Sequence, residues 1–318
     1  MMKIGNVELK NNIFLAPMAG VTDLAFRIIC DRYGAGLSYT EMVSAKALSF
    51  SDKKTRRLMQ TDDLPTAVQI FGHDADVISE IIPEVEKNGL FVDINMGCPA
   101  PKITGNGEGS ALMKDLKKAE AVIEAACSAA TKPITVKMRA GWNEESINAC
   151  ELAKICQKHG VSAITVHGRT REQFYSGKAD RGIIKKVCKS VDIPVIANGD
   201  IFTAQDASDM LCETGAAAIM VGRGAQGNPW IFAQITEQLE NGEPVTFVSN
   251  EERIRVALEH IALLCSLKGE YVGIREARKH ASWYIKGMKG SAALRNYINN
   301  ATTQEEMKGL LLSLIRKD

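Results

Sequence analysis

The repeating unit of this sequence is seen best in Pro133-Ile134-Thr135-Val136-Lys137-Met138-Arg139, a short run rich in β-branched residues. A run of this kind predicts a strand with a buried face. Seven comparable runs occur in the first three quarters of the chain, at Ile13–Ala16, Leu37–Thr40, Thr66–Phe71, Phe91–Asn95, Ala163–His167, Pro194–Asn198 and Ala217–Val221. Amphipathic helical segments lie between them, such as those that begin after Asp74 and Asp115.

Eight strand–helix units in about 240 residues are typical of an α/β fold of one kind, the (β/α)8 or TIM barrel, whose usual size is ~250 residues. A doubly wound open sheet is the alternative, although it usually has fewer strands. The longest interval follows the fourth strand, on the face where such barrels build their active sites. It contains Gly105-Asn106-Gly107-Glu108-Gly109, which we interpret as a mobile loop that leads into a helix.

The composition is that of an ordinary globular protein, because 45% of the 318 residues are hydrophobic and 24% are charged. It excludes a disordered or collagen-like chain. No apolar run reaches the roughly 18 residues that a membrane span needs, and the first residues contain no apolar signal-peptide core. We therefore expect a cytoplasmic protein without membrane contact.

The eight cysteines are widely spaced and include no C-x-x-C pair, so the sequence predicts reduced thiols and no metal site. Seven of them fall within helical segments and are explained as small apolar residues. Cys98 is the exception, since it lies in a loop rich in Gly and Pro that directly follows the fourth strand.

Strand alternation indicates that polar side chains point into the barrel near its carboxyl end. Aliphatic residues alternate with them and should face the surrounding helices. The inward polar residues are Gln69, Asp93, Asn95, Lys137, Arg139 and His167, and two further strands end in Asn198-Gly199-Asp200 and Gly222-Arg223. A single inward lysine is explained as readily by a structural role. Several unpartnered polar groups together would be costly, and an anionic ligand would satisfy them at once.

The residue types indicate which parts that ligand has. Gly222-Arg223-Gly224 suits a phosphate, because small residues let backbone N–H groups approach and an arginine side chain binds the oxygens. Lys137 would lie over a second electron-rich part, for instance the N1/C2=O edge of a reduced flavin.

Six motifs, taken in order, resemble those of the tRNA-dihydrouridine synthases. The motifs are Ala16-Pro17-Met18-Ala19-Gly20-Val21-Thr22-Asp23, Asn95-Met96-Gly97-Cys98-Pro99, Lys137-Met138-Arg139, His167-Gly168-Arg169-Thr170, Asn198-Gly199-Asp200 and Gly222-Arg223-Gly224. The loop that contains Cys98 is most similar to that of the bacterial B-type members. One position departs from the family, because relatives often carry Trp where this chain has Arg181.

The resemblance implies an enzyme that binds FMN and reduces the C5–C6 bond of uridines in the D-loop of tRNA, with NADPH or NADH as the reductant. It implies that Cys98 donates the proton. It also implies FMN contacts at Pro17, Met18, Ala19, Gln69, Lys137, His167, Asn198, Gly199, Asp200, Gly222 and Arg223. We further expect Asn95 to contact the uracil edge, and Arg139 and Arg169 to contact the base or nearby phosphates. The target base must be extruded from the folded RNA to reach such a pocket.

The chain becomes wholly helical after Gly242-Glu243-Pro244, which predicts a catalytic barrel over residues 1–242 and a small all-α domain over residues 245–318. The helical part carries 12 Lys and Arg against 8 Asp and Glu, so its net charge is +4 and that of the remainder is −3. A helical wheel from residue 271 onward places basic residues on one face, opposite apolar ones. We predict tRNA contacts at Arg275, Arg278, Lys279, Lys286, Lys289 and Arg295.

Three other functions remain open from the residues alone. One is an FMN barrel enzyme that reduces a small pyrimidine or enone, as dihydroorotate dehydrogenases do, which would have no use for a basic tail. The others are a lyase with Lys137 as its Schiff-base residue, and an RNA-binding protein without turnover. We expect a monomer.

Overall fold

The computed structural model describes residues 2–243 and 246–315. Its strands are β1 Met2–Ile4, β2 Val7–Leu9, β3 Ile13–Leu15, β4 Leu37–Tyr39, β5 Val43–Ser44, β6 Thr66–Phe71, β7 Val92–Met96, β8 Ile134–Arg139, β9 Ala163–His167, β10 Val195–Asn198 and β11 Ala218–Val221. Its α-helices are α1 Leu24–Arg32, α2 Ala45–Ser49, α3 Lys53–Arg57, α4 Ala75–Val85, α5 Pro101–Thr104, α6 Leu116–Ala129, α7 Ala149–Lys158, α8 Arg181–Cys188, α9 Ala204–Thr214, α10 Ile231–Asn241, α11 Asn250–Lys268, α12 Glu270–Tyr284, α13 Ser291–Asn300 and α14 Gln304–Leu312.

Eight of the strands form a closed parallel barrel. They follow the order β3-β4-β6-β7-β8-β9-β10-β11, and β11 pairs with β3 to close the ring. The two-residue strand β5 adds to the edge of β6. The eight predicted strands each lie within one residue of an observed strand, so the (β/α)8 barrel is confirmed and the open sheet is excluded.

The amino end of the barrel is covered by a hairpin that the sequence did not predict. Strands β1 and β2 pair antiparallel around Gly5. A Cβ on Gly5 would lie 2.7 Å from Pro133 Cγ and 3.2 Å from Ser162 Oγ, just before β8 and β9. Met2, Ile4 and Leu9 share an apolar cluster with residues of the barrel interior. This end is therefore filled by side chains, and a ligand has to enter from the carboxyl end.

Seven of the ten helices α1–α10 begin at a side chain that caps their backbone, including the cap that the sequence predicted at Asp115. Asp74 accepts hydrogen bonds from the backbone of Asp76 and Val77 at the start of α4, and Asp115 accepts one from Lys118 at the start of α6. Arg181, at the position where relatives often carry Trp, opens α8 and donates to Glu213 Oε1 at 2.6 Å.

The carboxyl-terminal helices α11–α14 pack on α1 of the barrel. Their apolar cluster includes Ala25 and Ile29 of α1 and Trp230, which precedes α10. Lys268 also reaches the barrel, where it donates to Asp23 Oδ2 at 2.6 Å. The predicted domain boundary falls on residues 244 and 245, which lie outside the described residues, so the division into two domains stays a prediction.

None of the described helices is long and apolar enough to cross a membrane. All eight cysteines lie in the described ranges, and each is a free thiol. Seven are in helices, and Cys98 lies in the loop after β7, as predicted.

Candidate active site

The carboxyl ends of the barrel strands surround a cavity of about 400 Å³. Its lining contains Cys98 and every residue that the sequence assigned to a cofactor: Pro17, Met18, Ala19, Gln69, Lys137, His167, Asn198, Gly199, Asp200, Gly222 and Arg223. These residues come from seven different strand ends and meet in one place. Their individual roles toward a ligand are proposals.

Lys137 supplies positive charge to the floor of the cavity. It is the fourth residue of β8, and its Nζ donates to Asn198 Oδ1 at 3.2 Å. Burial and the neighbouring Arg139 lower its pKa from 10.5 to about 8. An ammonium group has three hydrogens to donate. Asn198 is the one hydrogen-bond acceptor for it among the described residues, so two donors remain for a ligand.

A chain of buried side chains links the barrel interior to the loop that bears Cys98. Asp93 Oδ1 accepts from Thr135 Oγ1 at 2.6 Å, and its Oδ2 accepts from Gln69 Nε2 at 2.7 Å. Gln69 Oε1 accepts from Asn95 Nδ2 at 2.8 Å. Burial raises the pKa of Asp93 to about 6. The acceptor-only carboxylate thus fixes the orientation of the Gln69 amide and, through it, that of Asn95.

The side chain of Asn95 binds the backbone of the loop that contains Cys98. Its Oδ1 accepts hydrogen bonds from Gly97 N at 3.1 Å and Cys98 N at 2.8 Å. The oxygen and one amide hydrogen of Asn95 are therefore used inside the protein. The predicted contact of Asn95 with a base stays a prediction, whereas its support of the loop is a feature that the sequence analysis did not foresee.

The Cys98 thiol faces the cavity from a tightly packed loop. The Cys98 carbonyl accepts from Ser110 N at 3.1 Å and from Ser110 Oγ at 2.9 Å. Gly109 has φ +59°, and a Cβ there would lie 2.9 Å from the Cys98 carbonyl oxygen. Burial raises the pKa of the Cys98 thiol above its usual value. The sulfur is consequently protonated at neutral pH and able to donate a proton.

Residues 105–109 form a turn that leads from α5 into a 3-10 helix, so the segment leads into helical structure as expected, and its mobility stays a prediction. Helix α5 and a 3-10 turn at Gly109–Lys114 fill most of the interval before α6. Glu108 is buried at its side chain, with an oxygen 3.9 Å from His73 Nδ1.

Gly222 and Arg223 begin a 3-10 turn at the end of β11. Gly222 has φ −105° and ψ −104°, and a Cβ there would lie at ordinary contact distance, 3.7 Å from Ala16 Cβ and 3.8 Å from Met18 Sδ. Gly222, Arg223 and Gly224 all line the cavity, where the phosphate site is predicted. Arg223 is 38% exposed at its side chain and lies 3.2 Å from Asp200 Oδ1.

Arg169 does not lie on the cavity wall, contrary to its predicted contact with a base or phosphate. Its side chain is only 2% exposed and binds both oxygens of Asp200, at 2.9 and 2.7 Å. Its other donors hold the carbonyls of Ser176 and Gly177. The hydrogen bonds from Arg169 outweigh the burial of Asp200, so the pKa of Asp200 is lowered. Arg169 thus orients Asp200.

Arg139 lines the cavity, but most of its hydrogen-bond donors bind backbone carbonyls of the protein. It donates to Gly97 O at 2.8 Å, to Thr170 O at 2.7 Å and to Phe174 O at 2.9 Å. It therefore joins the Cys98 loop to the loop after β9. His167, next to it in register, has a pKa well below its usual value because of burial and the cations Lys137 and Arg139, so its ring is neutral.

The predicted basic face of the tail is interrupted. Helix α12 ends at Tyr284, so Lys286 and Lys289 lie in the following turn and not on the helical face that the wheel assumed. Arg278 is half-buried and donates twice to Ala301 O, at 3.1 and 2.7 Å. Arg275 and Arg295 are exposed. Lys279 points toward the cavity mouth, since its Nζ lies 3.7 Å from where Gly20 would carry a Cβ.

Further cavity residues were not singled out from the sequence. They include Met42, Phe174, Tyr175, Phe202 and Gln226. The sequence could have indicated Phe174 and Tyr175 as cavity residues, because these two adjacent aromatic residues follow a barrel strand at its carboxyl end. No group of three or more His, Cys, Asp or Glu side chains suited to a metal ion occurs in residues 2–243 or 246–315.

Fold and site together define a (β/α)8-barrel enzyme with its active site at the carboxyl ends of the strands. Solved structures share this architecture. The chain superposes on a variant of NCR from Zymomonas mobilis with a TM-score of 0.55 and 16% identity, covering 79% of this chain and 93% of that one. It also superposes on histamine dehydrogenase from Rhizobium sp. 4-9, with a TM-score of 0.58 and 13% identity, covering 88% of this chain and 50% of that one.

Sequence comparison gives the family. The model of the family described as "Dihydrouridine synthase (Dus)" matches residues 14–317, and the chain belongs to that family. It is 46% identical over 303 residues to a "Probable tRNA-dihydrouridine synthase" of Rickettsia conorii, covering 94% of this chain and 92% of the relative. It is 42% identical to "tRNA-dihydrouridine synthase B" of Vibrio parahaemolyticus, covering 94% of each chain. The corresponding protein of Pseudomonas putida is 40% identical, with 94% and 89% covered. The predicted family is confirmed.

Proposed function

We propose that this enzyme reduces the C5–C6 bond of a uridine in the D-loop of tRNA, with FMN as its cofactor and NADPH or NADH as the reductant. The observation that carries the proposal is the position of a protonated thiol, Cys98, in the wall of the same cavity as Lys137 and His167. The relatives named tRNA-dihydrouridine synthase support the RNA substrate. We propose the cytoplasm as the site of action and a monomer as the working form.

The cavity suits FMN in its donors and its shape. Gly222 and Arg223 would hold the phosphate, because both line the cavity and the Arg223 side chain is 38% exposed. Lys137 and the neutral His167 would face the electron-rich edge of the ring system, since both line the cavity. Gln69 would offer its remaining amide hydrogen.

The hydride for C6 of the uracil ring would come from bound FMN that NADPH or NADH has reduced. Cys98 then donates its proton to C5, where the negative charge develops. Because burial raises the pKa of the thiol, the sulfur stays protonated until the proton is transferred to C5. Asn95 and Ser110 hold the backbone of Cys98 on both sides, so the sulfur approaches one face of the ring from a fixed position.

The test uses tRNA from cells that lack dihydrouridine. The wild-type protein with FMN and NADPH should produce dihydrouridine, detected by mass spectrometry of digested tRNA. Cys98→Ala should retain FMN and its reduction by NADPH while the rate of dihydrouridine formation falls about 100- to 10,000-fold, the usual contribution of a positioned acid. Cys127→Ala is the matched control, because that thiol lies in α6 outside the cavity.

Three results would count against the proposal. Unchanged turnover by Cys98→Ala would remove this thiol as the acid. Wild-type protein that binds no flavin would remove the redox reaction itself and favour the lyase or the non-catalytic RNA-binding protein. A small pyrimidine reduced faster than tRNA would favour the small-molecule reductase.

A further inference from the structure

Three exposed aromatic side chains stand together at the mouth of the cavity. Phe174, Tyr175 and Phe202 are 43%, 48% and 47% exposed, and all three line the cavity. We call them the aromatic rim. The ring centroids of Phe174 and Tyr175 are 5.0 Å apart. Scattered apolar residues on a surface need no explanation, but a group of them beside a cavity marks a binding site.

The rim is held rigidly by two buried arginines. Arg139 donates to the carbonyls of Thr170 and Phe174, and Arg169 donates to those of Ser176 and Gly177. Phe174 itself has φ +51°, a conformation that a bulky residue rarely adopts. A backbone kept in this state by charged hydrogen bonds on both sides is typical of a prearranged ligand contact.

The rim also carries a positive charge. The guanidinium carbon of Arg223 lies 4.7 Å from the centre of the Tyr175 ring and 5.5 Å from that of Phe202. Flat aromatic faces beside a partly exposed guanidinium match the chemistry of an unpaired nucleobase.

We propose that the aromatic rim stacks on the nucleobase adjacent to the target uridine and thereby sets which uridine enters the cavity. This inference rests on the proposed function. Arg139 connects the two events, because the same side chain that holds Phe174 O also holds Gly97 O, next to Cys98. A base stacked on the rim is therefore placed at a fixed distance from the thiol.

Substitutions that remove the flat ring test the stacking. Tyr175→Leu and Phe202→Leu keep apolar volume and lose the aromatic face, so each should weaken the binding of unmodified tRNA about 5- to 100-fold, measured by fluorescence anisotropy. Tyr175→Phe retains the ring and should restore affinity to within about twofold of wild type. Phe50→Leu is the control, because Phe50 is 76% exposed and lies outside the cavity lining.

An abasic substitution in the tRNA identifies the contact. Removing the base on the 5′ or the 3′ side of the modified uridine should weaken binding to the wild-type protein at one of the two positions. The same tRNA should bind Tyr175→Leu no more weakly than intact tRNA does, because the lost ring and the lost base are one interaction. Additive losses at both positions would overturn the proposal.

The other outcomes are equally decisive. Leucine variants that bind tRNA normally but reduce FMN more slowly with NADPH would assign the rim to the dinucleotide and overturn the proposal. A failure of the proposed function is recognised separately, because wild-type protein would then form no dihydrouridine at all.

Discussion

The cavity and the tail both carry cations, but they use them differently. Around the cavity, Lys137, Arg139 and Arg169 are largely buried, and most hydrogens of the two arginines are bound to fixed acceptors of the protein. In the tail, Arg275 and Lys286 are exposed, and the Arg275 guanidinium contacts only the backbone and ring of Tyr271 among the described residues. The cations around the cavity act from fixed positions, because each of them binds its own set of acceptors. We propose that those of the tail act through the number of charges that they present to tRNA.

This difference has a measurable consequence. A buried cation interacts strongly with its neighbours and is poorly screened by salt, so its removal should change stability or pH dependence. An exposed cation is well screened, so its removal should change the salt dependence of RNA binding and leave folding almost unchanged. The following experiments compare members of the two groups.

The largest effect is expected for Arg169→Met. It leaves the carboxylate of Asp200 with Arg223 as its remaining cationic partner within 4 Å and frees the carbonyls of Ser176 and Gly177. We expect a loss of about 3 kcal/mol in the free energy of unfolding, measured with urea.

Arg181→Met is the matched control for that experiment. Arg181 also pairs with one carboxylate, that of Glu213, but the two side chains are 26% and 56% exposed. An exposed pair contributes at most about 1 kcal/mol. If the two variants lost equal free energy of unfolding, burial would not distinguish the contributions of Arg169 and Arg181. The contrast between buried and exposed cations would then fail.

Lys137 should affect how the free energy of unfolding depends on pH. Its pKa is lowered from 10.5 to about 8 in the folded protein, so between these values the unfolded chain binds the proton more tightly than the native protein does. Stability of the FMN-free protein should therefore rise from pH 8 to pH 10.5, by up to about 3 kcal/mol relative to Lys137→Met.

The affinity for FMN should change in the opposite direction. Above pH 8, Lys137 loses its charge and one donor, so FMN should bind about tenfold more weakly at pH 9 than at pH 7 in a calorimetric titration. Lys137→Met should bind weakly at both values without this step. Parallel pH curves for the two proteins would exclude Lys137 from the flavin site.

Much of the barrel could be predicted because its signals are local. Runs of β-branched residues give the eight strands, and a period of two assigns Gln69 and Lys137 to the inside. The partners of those side chains could not be predicted, because they come from other strands. The role of Asn95 illustrates this, since it depends on Gln69 of β6 and on the turn of the loop at Cys98.

The tail was predicted less well for a related reason. The helical wheel assumed that one helix continues past Tyr284. The chain instead turns at residues 285–290, where Gly287 and Gly290 both have φ +83°. Apolar periodicity survives such a turn, because Ile285 and Met288 remain buried in the same cluster. The period alone therefore could not show where α12 ends.

The smallest effect on folding, and a clear one on RNA binding, is expected for the exposed cations. Replacing Arg275, Lys279 and Lys286 together by Gln should lower the slope of log K against log salt concentration by about 2, because each phosphate contact contributes about 0.7 to 0.9. Binding of tRNA measured between 50 and 200 mM salt gives the slope. The free energy of unfolding should change by less than about 1 kcal/mol.

Two control variants decide what such a change means. Lys3→Gln removes the same charge at the amino end of the barrel, where Lys3 pairs with Glu8, and should leave the slope unchanged. Arg278→Gln removes a tail cation whose guanidinium binds Ala301 O, so it should reduce stability more than it reduces the slope. If Lys3→Gln lowered the slope as much as a tail residue does, the effect would depend on net charge alone, and the tail would not be the RNA-binding surface.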